Sequence, residues 1–146
     1  MSDINRIDQF DGRYYFLSNF YASMVTYDGL RYLSAECAFQ AQKCINPDDR
    51  DIFTRVGPSK GKYLGRRVTL RSDWENVKLQ IMENIVRAKF TQNENLRVLL
   101  INTGDKELVE GNTWNDKFWG VDANTGVGEN HLGKILMKVR KELQQQ

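Results

Sequence analysis

The sequence predicts an α+β fold built from one short hairpin and a series of helices. Three observations carry this: an aromatic and β-branched stretch from Met24 to Tyr32 around Asp28-Gly29, apolar residues recurring at helical spacing from Trp74 to Ala88, and the same spacing near the C-terminus. Tyr14 to Phe20 also has strand character, from its aromatic residues. Asp28-Gly29 suits a tight turn between Val25-Thr26-Tyr27 and Leu30-Arg31-Tyr32. Ser34 can cap a helix that runs from Glu36 to about Cys44, with Pro47 ending it. Ser59 can cap a shorter helix toward Arg67, weakened by Gly61 and Gly65. Ser72 and Glu75 have the spacing of a capping box ahead of Trp74, Val77, Ile81, Ile85 and Ala88. Leu96, Leu99 and Leu100 support a further helix ended by Gly104, and Leu132, Ile135, Leu136 and Val139 support the last. Between these two, Glu107 to Glu110 reads as a short strand and Gly111 to Gly128 as a long functional connection. No repeat or linker divides the chain, so one domain over 1–146 is expected, with 144–146 as a polar tail.

At 146 residues such a domain can bury roughly two-thirds of its unfolded surface. A composition of 40% hydrophobic and 27% charged residues excludes disorder as the main state. The net charge of +2 gives no general support for nucleic-acid binding. Cys37 and Cys44 lie seven residues apart on one helix, about 10 Å by helical rise, so a disulfide does not fit an intact helix. They read as reduced, small buried residues of a cytoplasmic protein. One histidine and no clustered cysteines argue against a protein-built zinc site, and no cofactor is expected. The N-terminus lacks an apolar leader block and no run reaches membrane-spanning length.

Chemistry concentrates in three segments. In YLSAECAFQAQK, the spacing of Glu36, Gln40 and Lys43 stacks a carboxylate, an amide and an amine on one helix face, with the carboxylate near the positive helix end. In NTWNDKFWG, Asp116 sits between Trp114 and Trp119, which suits a heterocycle stacked on a flat face and hydrogen-bonded at its edge. The alternative is that both indoles fill the core and Asp116 caps a turn. The third segment, RVGPSKGKYLGRRVTLR, contributes Arg55, Lys60, Lys62, Arg66, Arg67 and Arg71 without an acidic residue, among Gly57, Gly61 and Gly65. It reads either as a phosphate cradle or as a solvated basic face, and its glycine spacing matches no nucleotide-binding fingerprint.

Beyond these local readings, the chain resembles the NADAR, or YbiA-like, family across nearly its full length. The resemblance rests on FLSNF at Phe16 to Phe20, SAECAFQAQK at Ser34 to Lys43, Gly65-Arg66, Arg71-Ser72-Asp73-Trp74, KFTQNENLRVLLINTG, LVEGNTWNDKFWG and GVGENHLGKILMKVR, in that order. It implies a compact, mostly helical α+β domain and N-glycosidase activity. Family members act on early phosphorylated intermediates of riboflavin biosynthesis or on ADP-ribose attached to a nucleobase, so the resemblance implies a phosphorylated ribosyl or ADP-ribosyl substrate, with a modified nucleic acid as a further substrate class and no membrane partner. By motif, Glu36 corresponds to the family's acidic residue, Trp74, Asp116 and Trp119 to pocket positions, and Asn130 to the terminal Asn-x-Leu-Gly pattern completed by Leu132 and Gly133. Where the family often has His-Tyr after the glutamate, this chain has Cys37-Ala38, a departure that bears on substrate choice.

The resemblance thus implies Glu36, Asp116 and Lys43 as catalytic candidates. Glu36 would activate water and stabilise an oxocarbenium-like ribose while Asp116 holds the ribose hydroxyls or assists the leaving group, or the two exchange roles. Lys43 would tune Glu36, contact phosphate or form an imine with an opened sugar. Arg66, helped by Lys62 or Arg71, would clamp phosphate, and Trp74, Trp119, Gln40 and Asn130 would complete the substrate site. A non-catalytic ADP-ribose or nucleotide reader could use the same residues.

Overall fold

Asp28 and Gly29 both take positive φ, 49° and 86°, and this turn closes the predicted hairpin. In the computed structural model, which describes residues 5–146, strands β2 (Ala22–Tyr27) and β3 (Leu30–Ser34) pair antiparallel with Tyr27 opposite Leu30 and Val25 opposite Tyr32. The first four residues of the expected 1–146 domain, and the start of the stretch read as lacking an apolar leader, lie outside the described residues. The chain forms two compact units, one of residues 19–94 and one whose described part is 5–18 with 95–146. Helices dominate both, giving the expected mostly helical α+β class with an N-terminal hairpin.

In the 19–94 unit the hairpin feeds α1 (Ala35–Ala41), capped as expected by Ser34, whose hydroxyl accepts from the Cys37 N–H at 3.2 Å. Every residue of α1 is buried, as befits a helix enclosed on all sides. It ends at Ala41, earlier than expected, and the following turn carries Lys43. Pro47 opens a 3-10 helix, Pro47–Thr54, instead of merely ending α1. Helix α2 (Pro58–Gly65) is capped by Gly57 with Pro58 in its first turn, so Ser59 is not its cap. Its glycines explain its approach to α1: a Cβ on Gly61 would stand 2.7 Å from Cys37 Sγ, and one on Gly65 would overlap the Gln40 amide. Gly61 and Gly65 are therefore packing positions, not phosphate-cradling ones. Helix α3 (Trp74–Gln92) starts after Asp73, so no Ser72–Glu75 capping box forms. Asp73 is instead gripped by Arg71, and Glu75 pairs with Lys78 at 2.7 Å. The far end of α3 is tied to the hairpin by Gln92, which accepts from Thr26 N–H at 2.8 Å and donates to Thr26 O at 2.9 Å.

In the other unit β1 (Arg6–Ile7) pairs parallel with β4 (Glu107–Leu108), which realises the short strand expected there. Tyr14 to Phe20 is not a strand: Gly12–Leu17 is a 3-10 helix, with Tyr14 N–H on Asp11 O and Ser18 N–H on Tyr15 O, both 2.9 Å. Phe16 and Leu17 are buried in succession, a pattern a half-buried strand does not offer. Helix α4 (Glu94–Ile101) is followed by Gly104 at φ 70°, and α5 (His131–Gln144) buries Leu132, Ile135, Leu136 and Val139 as its spacing predicts. Between β4 and α5 the long connection contains β5 (Gly111–Asn112) and β6 (Val121–Asp122), paired parallel. Gln144 is the last residue of α5, not part of a polar tail, and donates to Gly104 O at 2.9 Å. Among the described residues no helix is long and apolar enough to cross a membrane.

Candidate active site

Gln40 and Glu36 lie one turn apart on α1, and the Gln40 amide Nε2 donates to Glu36 Oε2 at 2.6 Å. Both side chains are buried, Glu36 to 9% exposure and Gln40 to 5%. Burial makes this charge-assisted bond an orienting device, because a carboxylate held there has few ways to turn. The FLSNF segment supplies the other brace: Asn19 O accepts the Glu36 N–H at 3.0 Å. Gln40 is fixed in turn by the closeness of Gly65, while its Oε1 is buried without a hydrogen-bond partner among the described residues.

Lys43 completes the cluster from the turn after α1. Burial holds its ammonium below the ordinary lysine pKa, Glu36 works against that, and Arg66, Lys62 and Lys78 add to the lowering. The same electrostatics show that the amine shares a neighbourhood with Glu36 and with three cations of α2, its C-terminus and α3. Its Nζ lies 5.9 Å from the Trp74 ring centroid, and Trp74 packs on Phe39 at 5.0 Å. At 5% exposure Trp74 supports Lys43 from the core and presents no open stacking face. Lys62 Nζ lies 5.8 Å from the Phe20 ring centroid. Arg66, at the C-cap of α2, is exposed. Arg71 differs: it grips both oxygens of Asp73 at 2.6 and 3.0 Å and reaches Gln42 O at 3.4 Å, so its fork is engaged within the protein.

Asp116, Trp119 and Asn130 form a cluster of their own in the unit that contains residues 95–146. Asp116 Oδ1 accepts from Phe118 N–H at 3.2 Å and Trp119 N–H at 2.9 Å, which is the turn-capping alternative of the sequence reading. Asn112 closes the loop by accepting the Asp116 N–H and donating to its carbonyl at 2.9 Å. The indoles do not both fill the core, since Trp114 is 61% exposed and Trp119 is half-buried against Phe118 at 4.8 Å. Asn130 spends its amide on shape, accepting from Glu110 N–H and donating to Leu108 O, both at 3.0 Å. That use, with its left-handed backbone at φ 54°, makes it the entry to α5.

The sequence reading missed three residues of the 19–94 unit. Asn19 and Phe20 stood in the quoted FLSNF motif, but only the fold brings them under Glu36 and Lys62. Lys78 follows Trp74 by four residues on α3, a spacing that could have been read as the same face. Cys37 and Ala38, where the chain departs from the family pattern, are fully buried, with Cys37 Sγ 3.3 Å from the Val56 and Gly57 carbonyls. Both cysteines are free, and burial raises both thiols.

A buried carboxylate braced by an amide, beside an amine and further cations, suits an enzyme of small anionic substrates. The chain belongs to the NADAR family: a model of the NADAR domain matches residues 7–144. It is 43% identical over 129 residues to the N-glycosidase YbiA of Shigella flexneri, covering 86% of this chain and 79% of that protein. A riboflavin biosynthesis protein of Vibrio vulnificus is 39% identical over 141 residues, which cover 92% of this chain and 37% of that protein. The NMR structure of the Escherichia coli protein YbiA matches with a TM-score of 0.81 at 37% identity, over 97% of this chain and 89% of that one.

Proposed function

We propose that this protein hydrolyses the N-glycosidic bond of a phosphorylated ribosyl-heterocycle, an early intermediate of riboflavin biosynthesis. Membership of the NADAR family, together with relatives named N-glycosidases at this identity and coverage, makes the protein an N-glycosyl hydrolase. The riboflavin assignment is supported by the Vibrio vulnificus relative of that name, a stretch of which matches this chain. The free thiols suit a reducing, cytoplasmic compartment.

The observation that carries the mechanism is the 2.6 Å bond from Gln40 to Glu36. It leaves a carboxylate of fixed orientation where water can be polarised. Glu36 takes a proton from the attacking water as the oxygen bonds to ribose C1′, and the C1′–N pair departs with the heterocycle, whose nitrogen is then protonated. The carboxylate also faces the positive charge that develops on the sugar before the new bond is complete. Lys43, whose pKa burial lowers while Glu36 opposes that, stands beside the carboxylate as a cation, and Arg66 and Lys62 receive the phosphate. Asp116, with Oδ1 spent on its own loop, keeps Trp119 in place instead of acting on the leaving group.

Glu36→Gln preserves shape and the ability to bond Gln40 while removing the base. Its kcat on the ribosyl-heterocycle should fall about hundredfold or more, with the fold retained by circular dichroism. Wild-type kcat in a folded Glu36→Gln enzyme removes Glu36 from the chemistry.

A further inference from the structure

In the unit of residues 5–18 and 95–146, the 3-10 helix Gly12–Leu17 and the end of α4 with the turn after it border a half-open cavity of about 160 Å³. Arg13, Tyr14, Phe16, Leu99, Asn102, Thr103 and Lys106 line it, with two cations and no carboxylate. Arg13 is held in position: Nη2 donates to the Tyr14 hydroxyl at 2.7 Å, and the guanidinium lies 4.8 Å from the Tyr14 ring centroid. Having accepted that bond, the Tyr14 hydroxyl keeps its own hydrogen to donate. Thr103 Oγ1 donates to Leu100 O at 2.6 Å and accepts from Arg140 Nη1 at 2.9 Å. Arg140 is 5% exposed, and among the described residues no carboxylate lies within ion-pair distance of it. Burial lowers its pKa and Asp105 opposes that, so the guanidinium remains charged. A third positive charge thus stands behind the Thr103 wall.

We propose that this cavity is a binding site for a small phosphate monoester. A buried cation without a carboxylate is costly, and an anion at the Arg13 and Lys106 face offsets that cost. Donors from a guanidinium, an ammonium, a hydroxyl and the Asn102 amide suit the three terminal oxygens of a phosphate better than the two of a carboxylate. The volume equals about five waters at ~30 Å³ each, room for the phosphoryl group, while the open side of the cleft leaves the ester's small sugar toward solvent, and it is below the range of ~300 Å³ and more that larger ligands fill. The proposed hydrolysis releases a ribose phosphate, whose phosphoryl group is of this size. That identification of the sugar rests on the proposed function, whereas the phosphate chemistry of the cavity does not.

The test is an amide NMR titration of the ¹⁵N-labelled full chain with inorganic phosphate, ribose 5-phosphate, acetate, and sodium chloride at matched ionic strength. Saturable shifts confined to residues 13–16 and 99–106, caused by either phosphate and not by acetate or chloride, support the site. Tighter binding of ribose 5-phosphate identifies the sugar phosphate as the occupant, and equal binding identifies the phosphoryl group alone as what is read. Arg13→Gln with Lys106→Gln should weaken that binding about tenfold or more. Should the double variant lose its native spectrum, Tyr14→Phe and the single Lys106→Gln serve instead, each expected to weaken binding in a native spectrum. Absence of saturable shifts, shifts that acetate or chloride reproduces, or unchanged affinity in folded variants overturns the proposal. None of these readouts depends on turnover, so an enzyme inactive toward the riboflavin intermediate leaves the site standing.

Discussion

Arg66 stands exposed at the C-cap of α2, close enough to Lys43 to help lower its pKa. Arg66→Ala should raise KM more than it lowers kcat, because a phosphate contact is equal in the ground and transition states. A substrate without its phosphate should reproduce most of that loss in the wild type and add little to the variant. Fully additive penalties in steady-state kinetics assign Arg66 to a solvated face. Trp119 is half-buried beside Phe118 and His131, and Trp119→Ala should cost roughly 1–3 kcal/mol, a tenfold to hundredfold loss in kcat/KM. Wild-type kcat/KM in a folded variant returns Trp119 to a packing role. At this scale the sequence was legible where spacing alone decides contact, as for Glu36 and Gln40 four residues apart. It was misleading where a side chain meets a nearer partner, as Arg71 does in Asp73 and Asn130 in the Leu108 carbonyl, because such local satisfaction depends on backbone geometry that residue type does not encode.

Helix α3 carries a second amine, Lys89, that residue spacing did not single out. It is 1% exposed, with Nζ 5.0 Å from the Phe90 and 5.7 Å from the Tyr21 ring centroid, and burial lowers its pKa from 10.5 to about 7. Between those pH values the unfolded chain binds a proton that the folded chain does not, so Lys89 makes stability rise with pH across that window. Below about pH 7 both states carry the proton and the full cost of burying it persists. Urea unfolding of the wild type should therefore show roughly 2–3 kcal/mol more stability at about pH 9.5 than at pH 7, and Lys89→Met should flatten that difference. An identical pH difference in wild type and variant rules out Lys89 as its source. Period 3.6 made α3, α4 and α5 readable, and the Asp-Gly pair made the hairpin readable. The 3-10 helix at Gly12–Leu17 was not, because aromatic β-propensity reports packing on a sheet face, and these residues pack without one. The start of α3 was missed because two sites competed for one cap: Arg71 takes the Asp73 carboxylate, and the helix begins two residues after Ser72.

Across the whole chain, a single family match over residues 7–144 spans both compact units, each with its own polar cluster. The Glu36 cluster was legible from sequence because it is nearly local, two residues one turn apart on α1 and a lysine in the following turn, whereas Asn19 at Glu36, Phe20 at Lys62 and Lys78 near Lys43 are brought in by the tertiary fold. The Asp116 loop was legible as chemistry-bearing but not in its role, since the same carboxylate can act on a ligand or cap its own backbone. The most direct test of the central claim is chromatographic analysis after incubating the protein, side by side, with the phosphorylated riboflavin intermediate and with an ADP-ribosylated nucleobase. Free heterocycle and ribose phosphate are expected in equal amounts from the riboflavin intermediate, with both products lost in Glu36→Gln. Binding of that intermediate without bond cleavage at high enzyme concentration, or release of base only from the ADP-ribosylated substrate, would contradict it.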